Sequence, residues 1–173
     1  MRLVIPYLIV LGVGTAIYLI DMAEFANESV RQWVLIPVVV FKSAYFLWAL
    51  LAYLRDHMGE ELRFDVFARF TVMNVLLMVF SFAIDYYCLF QINPESFRGA
   101  ISTDNMGEGL FSFMYFSIST FTTAGFGDIS PVGSVARFFV TCQLGLSWLV
   151  TILVIGNAAH LHQSLMKKGE NNP

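Results

Sequence analysis

The sequence predicts an all-α membrane protein, and two observations carry that prediction. Of its 173 residues, 57% are hydrophobic and only 13% are charged, too little polar surface to clothe a soluble globule of this size. The apolar residues also gather into four blocks, each long enough for a bilayer core about 30 Å thick, which takes roughly 20 residues of helix to cross.

The first block runs from Leu3 to Ile20. It follows the basic Arg2 and contains Gly14, Thr15 and Ala16, features of a cleaved signal peptide; because the apolar run continues to Ile20, a retained anchor is the preferred reading. The second block is Trp33 to Leu54, the third Phe67 to Leu89 and the fourth Phe138 to Leu161. A fifth stretch, Leu110 to Phe121, has the length of a buried or re-entrant helix rather than a crossing. Between the second and third blocks, Arg55 to Arg69 mixes charges with Leu62, Phe64, Val66 and Phe67, as in a short helix lying along the inner interface. That segment divides the chain into an N-terminal two-helix transmembrane hairpin, residues 1–60, and a helix, re-entrant loop, helix unit, residues 61–173, whose polar end is expected to fray.

Lysine and arginine in short loops mark the cytoplasmic side. Arg2, Arg55, Arg63, Arg69, Lys167 and Lys168 fall on one side, against Arg31, Arg98 and the interfacial Arg137 on the other, so both termini are expected in the cytoplasm. The outer side collects Asp21, Glu24, Glu28, Glu95, Asp104, Glu108 and Asp128; such a face either concentrates cations or simply keeps the loops soluble. Cys88 and Cys142 lie inside apolar blocks without metal-ligand spacing and read as small buried hydrophobes, a disulfide between them being the lesser alternative.

Residues Tyr115 to Pro131 read Tyr-Phe-Ser-Ile-Ser-Thr-Phe-Thr-Thr-Ala-Gly-Phe-Gly-Asp-Ile-Ser-Pro. This resembles the pore helix and selectivity filter of the potassium channel family, whose TVGYGD pattern stands here as TAGFGD. With Arg137 and the fourth block, the resemblance covers about a third of the chain. It implies K+ as the permeant ligand, with no cofactor, held by the backbone carbonyls of Thr123, Ala124, Gly125, Phe126 and Gly127, and a filter supported by Asp128, Ser119, Tyr115 and Thr122.

Elementary chemistry gives the same residues reasons. A dehydrated cation needs oxygens in place of its water, and stacked rings of inward-pointing carbonyls supply them. Gly125 and Gly127 tolerate the positive φ that turns alternate carbonyls toward an axis, and the Thr123 hydroxyl can add an oxygen at the inner end. A half-length helix ahead of the filter aims its negative end, about half a charge, at the membrane centre. Irregular backbone at that depth survives only when buried in protein or lining water. One strand per chain makes no cage, so a closed ring of copies is required, and the resemblance sets it as a homotetramer.

Three departures from the family pattern stand out. Phe126 replaces the usual Tyr. Ser119 stands where some relatives carry a Glu that pairs with the Asp, which leaves Asp128 to find another partner, Tyr115 being the candidate. Ser147 occupies the usual hinge-glycine position, with Gly145 and Gly156 nearby as substitutes. On the fourth block Thr151, Ile155 and Ala159 share a helical face and line either a cavity or a packing surface. His160 and His162 near its end either titrate at the inner mouth or are ordinary interfacial residues.

Lys42 is the only basic residue well inside an apolar block. A charge there costs about 3 kcal/mol on insertion scales. It either pairs with Asp85 of the third block, or snorkels or loses its proton.

Neither of the first two blocks carries the Arg/Lys ladder that voltage sensing needs, and the tail is too short for a cytoplasmic ligand-binding domain. The expected function is passive, potassium-selective conduction without voltage gating, in a lipid membrane and with an unidentified regulatory partner as one source of control. A weakly selective cation channel and a non-conducting regulatory subunit are the alternatives. No catalytic constellation points to an enzyme and nothing points to nucleic acid.

Overall fold

The computed structural model describes residues 28–56, 64–102 and 105–170. They form four helices and two short strands: α1 (Glu28–Asp56), α2 (Phe64–Ile92), β1 (Phe97–Gly99), α3 (Met106–Phe121), β2 (Ile129–Pro131) and α4 (Ser134–Glu170), with a 3₁₀ turn at Pro94–Ser96. Among the described residues three helices are long and apolar enough to cross a membrane, with cores at Leu35–Ala52, Ala68–Ile92 and Ser134–Gly156. They correspond to the second, third and fourth apolar blocks. The first block, Leu3 to Ile20, lies outside the described residues.

Two boundaries differ from the sequence-based expectation. Residues 64–69, expected in a separate interfacial helix, form the first turns of α2; residues 57–63 of that segment lie outside the described residues. The fourth helix continues to Glu170 instead of ending in a frayed tail, because nothing between Gly156 and Glu170 breaks the helix: that stretch has no proline or further interior glycine before Gly169.

Helix α2 is the hub, with α1, α3 and α4 all packed on it, while α1 also runs along α4. The inward stripe of α1 is Leu35, Val39, Lys42, Phe46, Ala49 and Leu50, all buried, a spacing of three and four residues that keeps them on one face. Its opposite face exposes Phe41 and Trp48. The upper half of α2 is closed in by aromatics: Tyr86 lies 5.1 Å from Phe116, and Phe97 lies 5.0 Å from Phe113, ring centre to ring centre. These rings seat α3 against α2.

Both cysteines are free, Cys88 buried and Cys142 partly so. The structure holds no disulfide between them.

Candidate ion pore

Helix α3 starts at a reciprocal cap. Asn105 Oδ1 accepts the Glu108 N–H at 2.9 Å, which satisfies one orphan donor of the first turn, and Asn105 Nδ2 donates to Glu108 Oε1 at 3.0 Å. The Ser102 hydroxyl donates to Glu108 Oε2 at 2.6 Å. Together these contacts stabilise the ionised carboxyl and lower the Glu108 pKa.

The other end of α3 merges into the segment Thr122–Asp128. Thr122 caps the helix, its N–H bonded to Ile118 O at 2.9 Å and its hydroxyl to the same carbonyl at 2.9 Å. The next amides fold back too: Thr123 N–H reaches Thr120 O at 3.0 Å, Ala124 N–H reaches Ser119 O at 2.9 Å, and Gly125 N–H reaches the same oxygen at 3.4 Å. Carbonyls that would end the helix unsatisfied are used up by the amides of the following loop. With its N–H groups directed back to the helix, the loop has its own carbonyls to offer elsewhere.

The dihedral angles of that loop alternate in sign. Thr123 has φ +56°, Gly125 +56° and Gly127 +80°, with negative φ at Ala124 and Phe126 between them. Left-handed conformation is natural for the two glycines. For Thr123, a β-branched residue, it is an outlier, and sequence reasoning gave no sign of it. A Cβ built on Gly125 or Gly127 meets nothing within 4 Å; glycine is favoured there by the dihedral alone.

A family model described as an ion channel matches residues 70–163, more than half of the chain. The chain belongs to the potassium channel family. No solved structure matches it. The match extends from α2 through α3 and the TAGFGD loop into α4 and leaves α1 outside.

Around the loop of this potassium channel family member, Tyr115 does two things. Its ring stacks on Phe126, 6.0 Å between centres and 10° between planes, and a hydrogen bond to the Asp128 carboxylate raises its hydroxyl pKa. Asp128 Oδ1 also accepts the Ile129 N–H at 3.0 Å. The Ser119 hydroxyl, by contrast, donates to Phe116 O at 3.0 Å, and the residue serves the loop through its carbonyl.

On α4, Thr151 and Ile155 are exposed on one face, Thr151 donating to Ser147 O at 2.8 Å. The side chains of Ala159, His160 and His162 lie outside the described residues. Gly145 and Gly156 are exposed within the helix, with open space where a Cβ would stand.

One buried constellation escaped the sequence reading. Gln143 of α4, fully buried, donates to Ser117 O at 3.0 Å and Ser117 Oγ at 2.8 Å, and accepts from the Tyr86 hydroxyl at 2.6 Å. Ser117 in turn donates to Val79 O at 2.8 Å. This satisfied polar knot ties α2, α3 and α4 at one point, two residues from the Ser119 carbonyl that receives the loop amides. The available signal was a glutamine inside an apolar block, which must find partners in lipid or protein.

Lys42 and Asp85 are brought together. The ammonium contacts Asp85 Oδ2, donates to Ser81 O at 3.2 Å and stands 4.7 Å from the centre of the Phe82 ring. Because Lys42 lies on the inward stripe of α1, its charge faces protein and not lipid.

Proposed function

We propose that the chain is one subunit of a homotetrameric channel that conducts K+ selectively and passively through a pore built from four copies of Thr123–Gly127. The alternating dihedral sign of that loop carries the proposal, since it is the backbone pattern that turns successive carbonyls to one side. The carbonyls of Thr123, Ala124, Gly125, Phe126 and Gly127 replace the water of the permeant K+. The Thr123 hydroxyl donates to Thr122 O at 2.7 Å, which leaves its lone pairs free for a cation at the inner end.

The ring is supported by what a single chain leaves uncovered. Residues 122–128 are exposed, and so are Trp148, Leu149, Ile152 and Ile155 along α4. In a tetramer the loops meet at the axis, while α4 supplies apolar contacts between copies and, through Thr151 and Ile155, the wall below the filter. Phe41 and Trp48 on α1 and Val72, Met73 and Leu76 on α2 face lipid. The first apolar block adds a fourth crossing, so that residues 1–60 form a hairpin beside the pore domain of residues 61–173, with both termini cytoplasmic. Conduction is not steered by voltage, because α1 carries only the widely spaced Arg31, Lys42 and Arg55, far short of a gating ladder.

Purified protein in planar bilayers between potassium and sodium solutions tests the reading. A reversal potential near that for potassium is expected, with open probability nearly independent of voltage. Reversal near zero makes the protein a weakly selective cation channel; assembled protein without current makes it a regulatory subunit.

A further inference from the structure

The segment that follows α2 is distant in sequence from the filter, yet it is laced to the filter's outer end. Strands β1 and β2 pair antiparallel, with Phe97 opposite Pro131, Arg98 opposite Ser130 and Gly99 opposite Ile129. The lacing extends past both strand ends. Ala100 N–H donates to Asp128 O at 3.0 Å, and Ser96 O accepts the amides of Val132 at 2.9 Å and Gly133 at 3.3 Å. The clamp is rooted in the core, because Phe97 packs 5.0 Å from Phe113, 5.7 Å from Tyr86 and 5.8 Å from Phe116.

Gly99 is the point of closest approach. Its φ is +130°, open to glycine and strained for any other residue. A Cβ there would stand 1.8 Å from Asp128 O, 2.8 Å from Asp128 C and 2.9 Å from Ile129 Cα. All three are backbone atoms, which cannot swing aside as the end of a side chain does. This differs from Gly125 and Gly127, where space is open and the dihedral alone selects glycine.

We infer that Gly99 is a positioning residue for ion selectivity: it lets the β1 backbone press on Asp128 and so sets the outermost carbonyls of the filter, at Phe126 and Gly127. The inference rests on the pore reading above. Asp128 follows Gly127 directly, so a side chain at position 99 displaces the anchor to which the last filter residues are tied. A loosened outer filter still binds ions, and ions that bind only the ordered arrangement restore it by mass action. Loss of the clamp therefore shows as a new dependence on external potassium.

The experiment compares wild type, Gly99→Ala and, as control, Gly107→Ala, whose Cβ would meet only Asn105 Oδ1 at 3.3 Å. Each is purified, checked for the same oligomeric mass, and recorded in bilayers as external potassium is varied against sodium. Gly99→Ala is expected to assemble, to lose at least about tenfold in its potassium-to-sodium permeability ratio at low external potassium, and to recover as external potassium rises; Gly107→Ala behaves as wild type. An assembled Gly99→Ala with wild-type selectivity at every concentration overturns the inference and leaves the pore reading standing, whereas an unselective wild type removes the reading itself. Should Gly99→Ala not assemble, the pair Arg98→Cys and Ser130→Cys bridges the clamp at directly opposed positions. Its oxidised form is expected to keep a larger fraction of its current than its reduced form when external potassium is replaced by sodium, and equal fractions overturn the inference.

Discussion

Lys42 and Asp85 form an ion pair between α1 and α2, 43 positions apart in sequence, with 2% and 4% of their surfaces exposed. The helix that the ion-channel match leaves out is thus fastened to the matched part of the chain by opposite charges in a low-dielectric setting. Breaking such a pair strands a buried charge at about 3–5 kcal/mol, whereas removing both partners is far cheaper. Lys42→Met and Asp85→Asn are each expected to lower thermal stability in detergent, and the double variant to lose less than the sum. Strict additivity in that cycle contradicts the pairing.

Gly125→Ala tests the alternating loop. The Cβ has space, so the cost is that of forcing alanine to φ +56°, roughly 1–2 kcal/mol per copy. In the proposed ring of four copies the cost falls on every subunit at once, which is enough to shift the filter away from its ordered form while the helices stay packed. Assembly is expected to survive and potassium flux to vanish. Phe126→Tyr should conduct, since the ring remains stacked on Tyr115 and only a hydroxyl is added. Undiminished selective flux in Gly125→Ala would argue against the filter assignment.

The knot at Gln143 predicts a stability effect out of proportion to its size. Gln143→Leu leaves the Tyr86 hydroxyl without its acceptor, and a buried group left unsatisfied costs about 1–3 kcal/mol, while the Ser117 hydroxyl keeps its bond to Val79 O. Ser117→Ala combined with Gln143→Leu should cost less than the two changes added, because either change alone already removes the bond between the two side chains. Thermal unfolding of the four proteins provides the comparison.

Tyr115 predicts a pH dependence on the outer side. Its hydrogen bond to Asp128 raises the hydroxyl pKa, so the protonated form is the one the fold favours. The contact is fully present below the usual tyrosine value of about 10 and is lost as external pH rises through the raised value. Current should stay level through neutral and mildly alkaline pH and fall only beyond about pH 10. In Tyr115→Phe the contact is missing at every pH, so the alkaline fall should be blunted; an identical fall in both proteins would assign it to another group.

By itself the sequence determined what depends on neighbouring residues. Crossing helices follow from unbroken apolar length, the half-length α3 from its shortness, and the turn-permissive loop from Gly125 and Gly127 two positions apart. Lys42 and Asp85 were legible because a charge in an apolar block has few places to go. Other features were decided by tertiary structure. The knot joins Tyr86 to Gln143 across 57 positions and Gln143 to Ser117 across 26, and a lone Gln or Ser among apolar residues does not name its partner. Thr123 adopts a dihedral that β-branched residues avoid, because the amides around it are bound to the end of α3. Gly99 sits in Arg98-Gly99-Ala100, an ordinary loop to the eye, and becomes irreplaceable only when strand pairing brings the Asp128 carbonyl to the place where its side chain would be. Local order is encoded by composition and spacing, whereas steric exclusion between distant segments exists only once the chain has folded.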